Sequence, residues 1–443
     1  MSAALMPPAA TDVAGKRRRR RRHRWAVVPG TSGDHPAVYF FLQELFQRPS
    51  RAEFKASIDD PFYEPHDRLL VKRGREIVGH ALAKHREMHF GPTDLPVGWL
   101  GLLGTSQACR RLGLGTRLLA AAEEHLRQAG ALVGLLKTDS PHFFRRSGWA
   151  LCGRHSFSRA DARAVLSELL DRGLRRRRRS KLQIRPFRRW ELGALERIYN
   201  QNTQGTYGPL VRTEAYWQWI ERRRGYDQIY VAIDGPELLE LDEINTRPVG
   251  YAVTWGEQIV EIHSAPDFRK LARAELLARC CGDAIEHSRY GVLLRAPEGH
   301  PLYDVFQAAR GRHHHHVADR GQVYMAKLLD PAALLRRLGG ELHRRADEAR
   351  LPRPLDLGLW FDGRKLQLEL RPDGVRVVPG RMGRSYLRMN VADFTRLLLG
   401  QLDWDIALRD ARITASTPLA QTAARALFPP LPLWYPPFDE LTA

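Results

Sequence analysis

At 443 residues, 43% of them hydrophobic, the chain is long enough for two to four domains that each bury a core. No apolar run approaches the roughly 18 residues of a membrane span and no signal-peptide core follows the basic amino-terminal run, so a cytoplasmic protein with no membrane span is expected. The formal charge of +20 suggests nucleic acid until it is located: eight positive charges sit in Lys16, Arg17 to Arg22 and Arg24, six in Arg172 and Arg175 to Arg179, which leaves +6 for everything else.

Blocks of like charge repel and stay solvated, so residues 1–24 are expected to be a disordered basic tail and residues 175–180 an arginine-rich linker. A loose, salt-sensitive contact of the tail with nucleic acid is the alternative, and no base-reading module accompanies it. Cys109, Cys152, Cys280 and Cys281 show neither a Cys-x-x-Cys pair nor ligand spacing, which predicts reduced thiols and no metal site.

The first unit, residues 25–174, opens with a helix-patterned segment, Tyr39 to Phe46, and two strands, Leu69 to Lys72 and Ile77 to Ala81, around a glycine turn. An apolar strand, Val97-Gly98-Trp99-Leu100-Gly101-Leu102-Leu103, then runs into Arg110-Arg111-Leu112-Gly113-Leu114-Gly115-Thr116. Leu118, Leu119, Ala122 and Leu126 follow on one helical face, and the helix is expected to stop near Gly130. A second apolar run, Leu132 to Thr138, reads as the neighbouring strand, followed by Pro141-His142-Phe143-Phe144-Arg145-Arg146-Ser147-Gly148-Trp149. Backbone N–H groups at a helix start lack intrahelical partners and carry the positive end of the dipole, so this turn is a candidate cradle for a pyrophosphate. Gly113 and Gly115 let the backbone approach the anion, and Arg110 and Arg111 add charge. A dinucleotide fingerprint would need glycine where Leu118 stands, and the chain contains no Gly-Lys-Ser/Thr of a P-loop.

The second unit, residues 181–330, repeats the pattern: a helix from Trp190 to Tyr199, strands over Gln228 to Ile233, Val249 to Thr254 and Ile259 to His263, then Arg269 to Leu277 where the first unit has its cradle helix. Arg269 aligns with Arg110 or Arg111, but the glycines are missing, so this copy is not expected to hold a pyrophosphate. His313 to His316 are read as an exposed loop rather than a metal site. The last unit, residues 331–443, offers strands at Leu366 to Leu370, Val375 to Val378 and Ala411 to Ala415, and helices from Asn390 to Gly400 and from Leu419 to Leu427.

The order of strand, Arg-x-x-Gly-x-Gly turn, helix, strand and aromatic pair resembles the GNAT superfamily of acyl-CoA-dependent N-acyltransferases. The last unit resembles a sterol-carrier-protein fold, for which packing against the other units is preferred over a lipid groove. The three-part order is similar to the enhanced intracellular survival family of N-acetyltransferases. The resemblance implies an α/β (α+β) chain of two tandem GNAT folds, mixed sheets flanked by helices, followed by a sterol-carrier-like α+β domain. It further implies acetyl-CoA as co-substrate, a primary amine of a small molecule or protein lysine as acceptor, and a homo-oligomer, a hexamer in that family.

On this reading Leu103, Thr105, Arg110, Arg111, Gly113, Leu114, Gly115 and Thr116 hold the coenzyme. The second aromatic before Arg-x-x-Gly-aromatic is usually a tyrosine that protonates the departing thiolate; here it is Phe144. His142 is the nearest substitute, and the family's terminal carboxylate would cast Ala443 as a base. A cationic acceptor calls for acids near the cleft, which points to Asp60 and Glu64 with Phe62 and Tyr63 as apolar walls. A non-catalytic acyl-CoA-binding scaffold or sensor is the competing reading.

Overall fold

The computed structural model describes residues 25–173, 182–235 and 247–440; the basic tail, the arginine linker and Ala443 fall outside them. In the first unit β1 (Val27–Pro29), β2 (Arg68–Arg73), β3 (Glu76–Phe90) and β4 (Thr93–Thr105) pair antiparallel in sequence, and β5 (Val133–Thr138) joins β4 in parallel. Alternation along β2 sets the two faces. Leu69 and Val71 enter the cluster under α3 (Leu114–Gln128), whereas Leu70 enters the one under α1 (His35–Phe46) and α2 (Arg51–Ile58). The Ser50 side chain accepts from the Glu53 amide at 3.1 Å and starts α2. Leu114, Leu118, Leu119, Ala122 and Leu126 of α3 are all buried, as their spacing predicts, and Gly130 turns the chain at φ 87°.

The hydrogen-bonded sheets cut across the linear order of the chain. After β5 the strand His155–Asp161 leaves for the second sheet, where it lies between Arg312–His316 and Gly291–Arg295. In return Gln322–Leu328, late in the second unit, pairs antiparallel with β5 from Val323 opposite Thr138 to Leu328 opposite Val133. Each sheet is completed by a strand from the other half of the tandem. The His313 to His316 run, expected as a loop, is part of a strand, because His155–Asp161 gives its backbone a ladder partner.

The second unit has the same strand, turn, helix and parallel strand as the first: Gln258–Ser264, Arg269–Glu286 and Gly291–Arg295. Its helix is reached through Pro266–Phe268, with Phe268 at φ −111° and no left-handed residue in the turn. The third unit is a five-stranded sheet, Gly374–Pro379, Arg364–Arg371, Leu355–Phe361, Ser385–Met389 and Ile413–Ala415, packed by helices that include Val391–Leu398 and Pro418–Leu427. Asn390 caps the first of these by accepting from the Asp393 amide at 2.8 Å. The apolar core of this unit is continuous with the first sheet: Leu334, Leu397 and Phe394 belong to one cluster with Met88, Val97 and Val133. The chain is thus mixed α/β, two tandem sheet-and-helix units followed by an α+β unit.

Candidate active site

β4 and β5 stay paired only from Val97 opposite Val133 to Leu100 opposite Leu136. Beyond that point β4 runs on to Thr105 and β5 to Thr138 without pairing, so the β5-facing backbone groups of Gly101 to Thr105 have no strand partner there. Backbone amides and carbonyls are strong hydrogen-bonding groups, so this half-buried wedge is suited to an extended ligand that supplies partners for them.

The wedge is shaped by a bulge. The β3–β4 register slips between His80 and Leu82, and Leu102 takes φ 49°. Its carbonyl is 2.8 Å from His80 Nδ1, while His80 Nε2 is 3.2 Å from Arg68 Nη1. A guanidinium only donates, so Nε2 accepts and the imidazole carries its proton on Nδ1, donating to Leu102. Arg68 also donates to the Tyr63 hydroxyl at 2.9 Å and to Ser57 Oγ at 3.0 Å. Tyr63, expected as an apolar wall, is therefore a buried polar bracket, with His35 Nε2 at 2.8 Å on its other side.

Burial, reinforced by Arg68, holds the His80 imidazole down at about 3. Burial beside Lys137 likewise holds His155 down at about 4. The unfolded chain takes up these protons as pH drops below about 6.5, whereas the folded chain refuses them until about pH 3 and 4, so stability is complete above neutrality and is lost on acidification. We expect denaturant midpoints to fall from pH 7 to pH 5, with the slope steepening as the pH drops and the His80 contribution approaching about 1.4 kcal/mol per pH unit below about pH 6. A His80→Asn variant should flatten that slope; an unchanged slope would remove His80 from the account.

Beyond β4, Gln107–Cys109 forms one turn, Arg111 takes φ 62° and Gly113 φ 77°, and α3 begins. Gly113 stands at the N-cap with no side-chain hydrogen bond to the first turn, which leaves those N–H groups open to an external anion. Arg110, Arg111, Gly113 and Thr116 are exposed around this opening and Gly115 is half-buried, whereas Leu114 is buried and offers only its backbone. Leu103 and Thr105 are half-buried at the end of β4. Cys109 is buried in the α3-side core, where it fills space.

α4 (Pro141–Arg145) places Phe143 against the cradle: a Cβ added at Gly115 would meet its ring at 3.4 Å. Phe144 is buried edge-on to Trp149, with ring centroids 6.1 Å apart. His142 is exposed and makes no hydrogen bond among the described residues.

On the opposite face of the sheet, Asp60 is not an open receptor for a cation. Its buried carboxylate is engaged by Lys84 at 2.8 Å and by Arg86, and Oδ1 accepts the Phe62 amide at 3.1 Å. Burial alone would raise the Asp60 carboxyl, but the two cations outweigh it and hold it below the ordinary range. Burial in turn brings the Lys84 ammonium down to about 8, against the pull of Asp60. Glu64 is exposed, its amide donating to Asp67 Oδ2 at 2.9 Å. Phe62 lies under the Arg86 guanidinium at 4.9 Å and 5.8 Å from Tyr216 on helix Glu214–Arg223, so the second unit closes this side. Lys84 and Arg86 carry no local signal of this role, because Lys84-His85-Arg86-Glu87 is an unbroken polar run that reads as surface.

The last described turn, Pro437–Glu440, also reaches this region. Glu440 pairs with Lys137 of β5 at 2.7 Å and accepts from the Tyr324 hydroxyl at 2.6 Å, next to the residue where β4 and β5 part.

With this geometry in place, comparison gives it a family. A family model described as an acetyltransferase (GNAT) domain matches residues 27–152, from β1 through the cradle to the strand after α4. The chain is 32% identical over 129 residues to the aminoalkylphosphonate N-acetyltransferase of Salmonella typhimurium, covering 27% of this chain and 80% of that one. The chain belongs to the GNAT acetyltransferases. It is also 28% identical over 111 residues to the mycothiol acetyltransferase of Cellulomonas flavigena, covering 23% of this chain and 32% of that relative, so it spans about a third of that relative's length. Solved structures match nearly the whole GNAT chain. A GCN5-related N-acetyltransferase from Kribbella flavida aligns with a TM-score of 0.69 at 16% identity over 93% of this chain and 97% of that one. Eis1 from Mycobacterium abscessus aligns at 0.64 and 16% identity over 93% and 99%. At such identities the likeness is one of fold.

Proposed function

We propose that the first unit moves an acetyl group from acetyl-CoA to a primary amine of a small molecule or a protein lysine. The observation that carries this reading is the uncapped start of α3 at Gly113, set beside the unpaired edge of β4. When bound, the coenzyme would supply an activated thioester. The amides of the first α3 turn, with Arg110 and Arg111, would hold its pyrophosphate, and the edge around Leu103 to Thr105 would hold the pantetheine arm and give N–H groups to charge developing on the thioester oxygen. The names of the two curated relatives, both acetyltransferases, support the reaction class. The match over the full Eis1 length supports reading the three-part order as that of the enhanced intracellular survival family, with a sterol-carrier-like last unit.

Phe144 favours a second reading, a non-catalytic acyl-CoA-binding scaffold or sensor, because a phenyl ring cannot protonate a thiolate. Thiolate is nevertheless a fair leaving group, so transfer without a side-chain acid would be slowed rather than lost. His142, exposed two residues earlier, is the proposed substitute acid.

Thiol release from acetyl-CoA across an amine panel tests the choice. Measurable turnover with at least one amine is expected, and Phe144→Tyr should raise it about tenfold, below the usual contribution of a positioned acid because the leaving group is already good. No release with any amine, despite acetyl-CoA binding seen by calorimetry, would leave the scaffold reading in its place.

A further inference from the structure

The geometry points to a divalent metal site of the zinc class on the first unit, formed by His66, Asp67 and His125, which no known property of the chain requires. The donor atoms of the three side chains all lie within 4.8 Å of one another. His66 and Asp67 belong to the one-turn helix Pro65–Asp67 just before β2, and His125 to the last turn of α3, so the set joins two elements far apart in sequence.

The chemistry of the set suits such an ion. Two imidazoles and one carboxylate, with a further position left to water, is a recurrent zinc arrangement, and bonds of about 2.0–2.2 Å put neighbouring donors roughly 3.3 Å apart. Asp67 Oδ1 and His125 Nε2 already stand 3.1 Å apart. The other carboxylate oxygen accepts the Glu64 amide at 2.9 Å, which fixes the Asp67 rotamer as an outer-shell partner would. The His66 ring lies 5.6 Å from that of His125, is exposed, and makes no hydrogen bond among the described residues, so it is free to turn onto a shared ion. An ordinary ion pair accounts for Asp67 and His125 but gives no role to the third donor. A bound ion would clamp the turn carrying Asp60, Phe62 and Tyr63 to the far end of the helix that starts at Gly113.

A second pair of donors must be separated in the test, because His314 Nδ1 and His316 Nε2 stand 3.4 Å apart on one strand face. The experiment therefore uses the full chain carrying His314→Gln and His316→Gln, freed of metal by chelation and titrated with zinc chloride by calorimetry and thermal melting. About one ion per chain should bind, with a higher melting temperature in zinc than in chelator. Adding His66→Gln should weaken zinc binding at least tenfold while the metal-free melting temperature stays put, since that side chain is exposed. Adding His125→Gln should abolish the zinc-induced rise. Loss of all zinc uptake with the His314/His316 substitutions alone, or undiminished uptake in the His66→Gln and His125→Gln chains, would overturn the assignment.

Discussion

Replacing Gly113 by valine is expected to weaken acetyl-CoA binding about thirtyfold or more, which corresponds to about 2 kcal/mol. At φ 77° the backbone there is left-handed, and an added Cβ would meet nothing within 4 Å, so space in the free protein is not what forbids a side chain. Two other effects do. A β-branched residue resists the left-handed region, which pulls the start of α3 away from the arrangement that leaves its amides open. Its methyl groups would also stand in the opening where the proposed pyrophosphate sits. Gly74, in the β2–β3 turn at φ 64° and equally uncrowded, provides the control. Gly74→Val should bring similar backbone strain and leave coenzyme affinity unchanged in calorimetry. Equal loss in both variants would mean that general destabilisation, rather than the cradle, governs binding.

Substitution of Arg212 by methionine is expected to lower the unfolding free energy by about 3–5 kcal/mol, read from urea titrations. Its guanidinium is fully buried, forked onto Glu261 at 2.9 and 2.7 Å and joined to Asp439 at 2.9 and 3.0 Å. Tyr199, Trp217 and Phe438 sheathe it, with the Tyr199 ring 4.0 Å away. Removing the cation strands two carboxylates in an apolar surround. The loss should be largely recovered when Glu261→Gln and Asp439→Asn accompany it, because the burden is uncompensated charge rather than missing volume. The same variant should expose the carboxyl-terminal segment to proteolysis, since Asp439 is one of its anchors, alongside the Arg223 bond to the Phe438 carbonyl at 2.5 Å. If the single variant unfolds at the parental midpoint, the ion pairs are not what seats that segment.

The parts of this protein readable from sequence are those governed by neighbours along the chain. The left-handed glycine before α3, the buried stripe Leu118, Leu119, Ala122 and Leu126, and the Asn390 cap each depend on a handful of consecutive residues, and each stands where the pattern puts it. Of β3 only the first third, Ile77 to Ala81, is legible as a strand in the sequence. Its later part, through Lys84, Arg86 and Glu87, looks like surface until Asp60 and the strand Tyr207–Leu210 are brought against it. Asp60 shows the same limit from the other side: a carboxylate in a turn reads as available until cations some 24 and 26 positions away claim it. Nothing local marks His155–Asp161 or Gln322–Leu328 as partners for the opposite sheet, since alternation fixes a strand's faces but not its neighbours.

That reciprocal trade of strands bears on how the polypeptide is made. β5 emerges from the ribosome with one edge bare, and the segment that covers it follows roughly two hundred residues later, tens of seconds at ordinary elongation speeds. During that interval the nascent acetyltransferase unit presents an unpaired apolar ladder, the kind of surface that recruits chaperones or other chains. A truncation ending before Gln322 therefore yields an incomplete first sheet rather than a smaller enzyme.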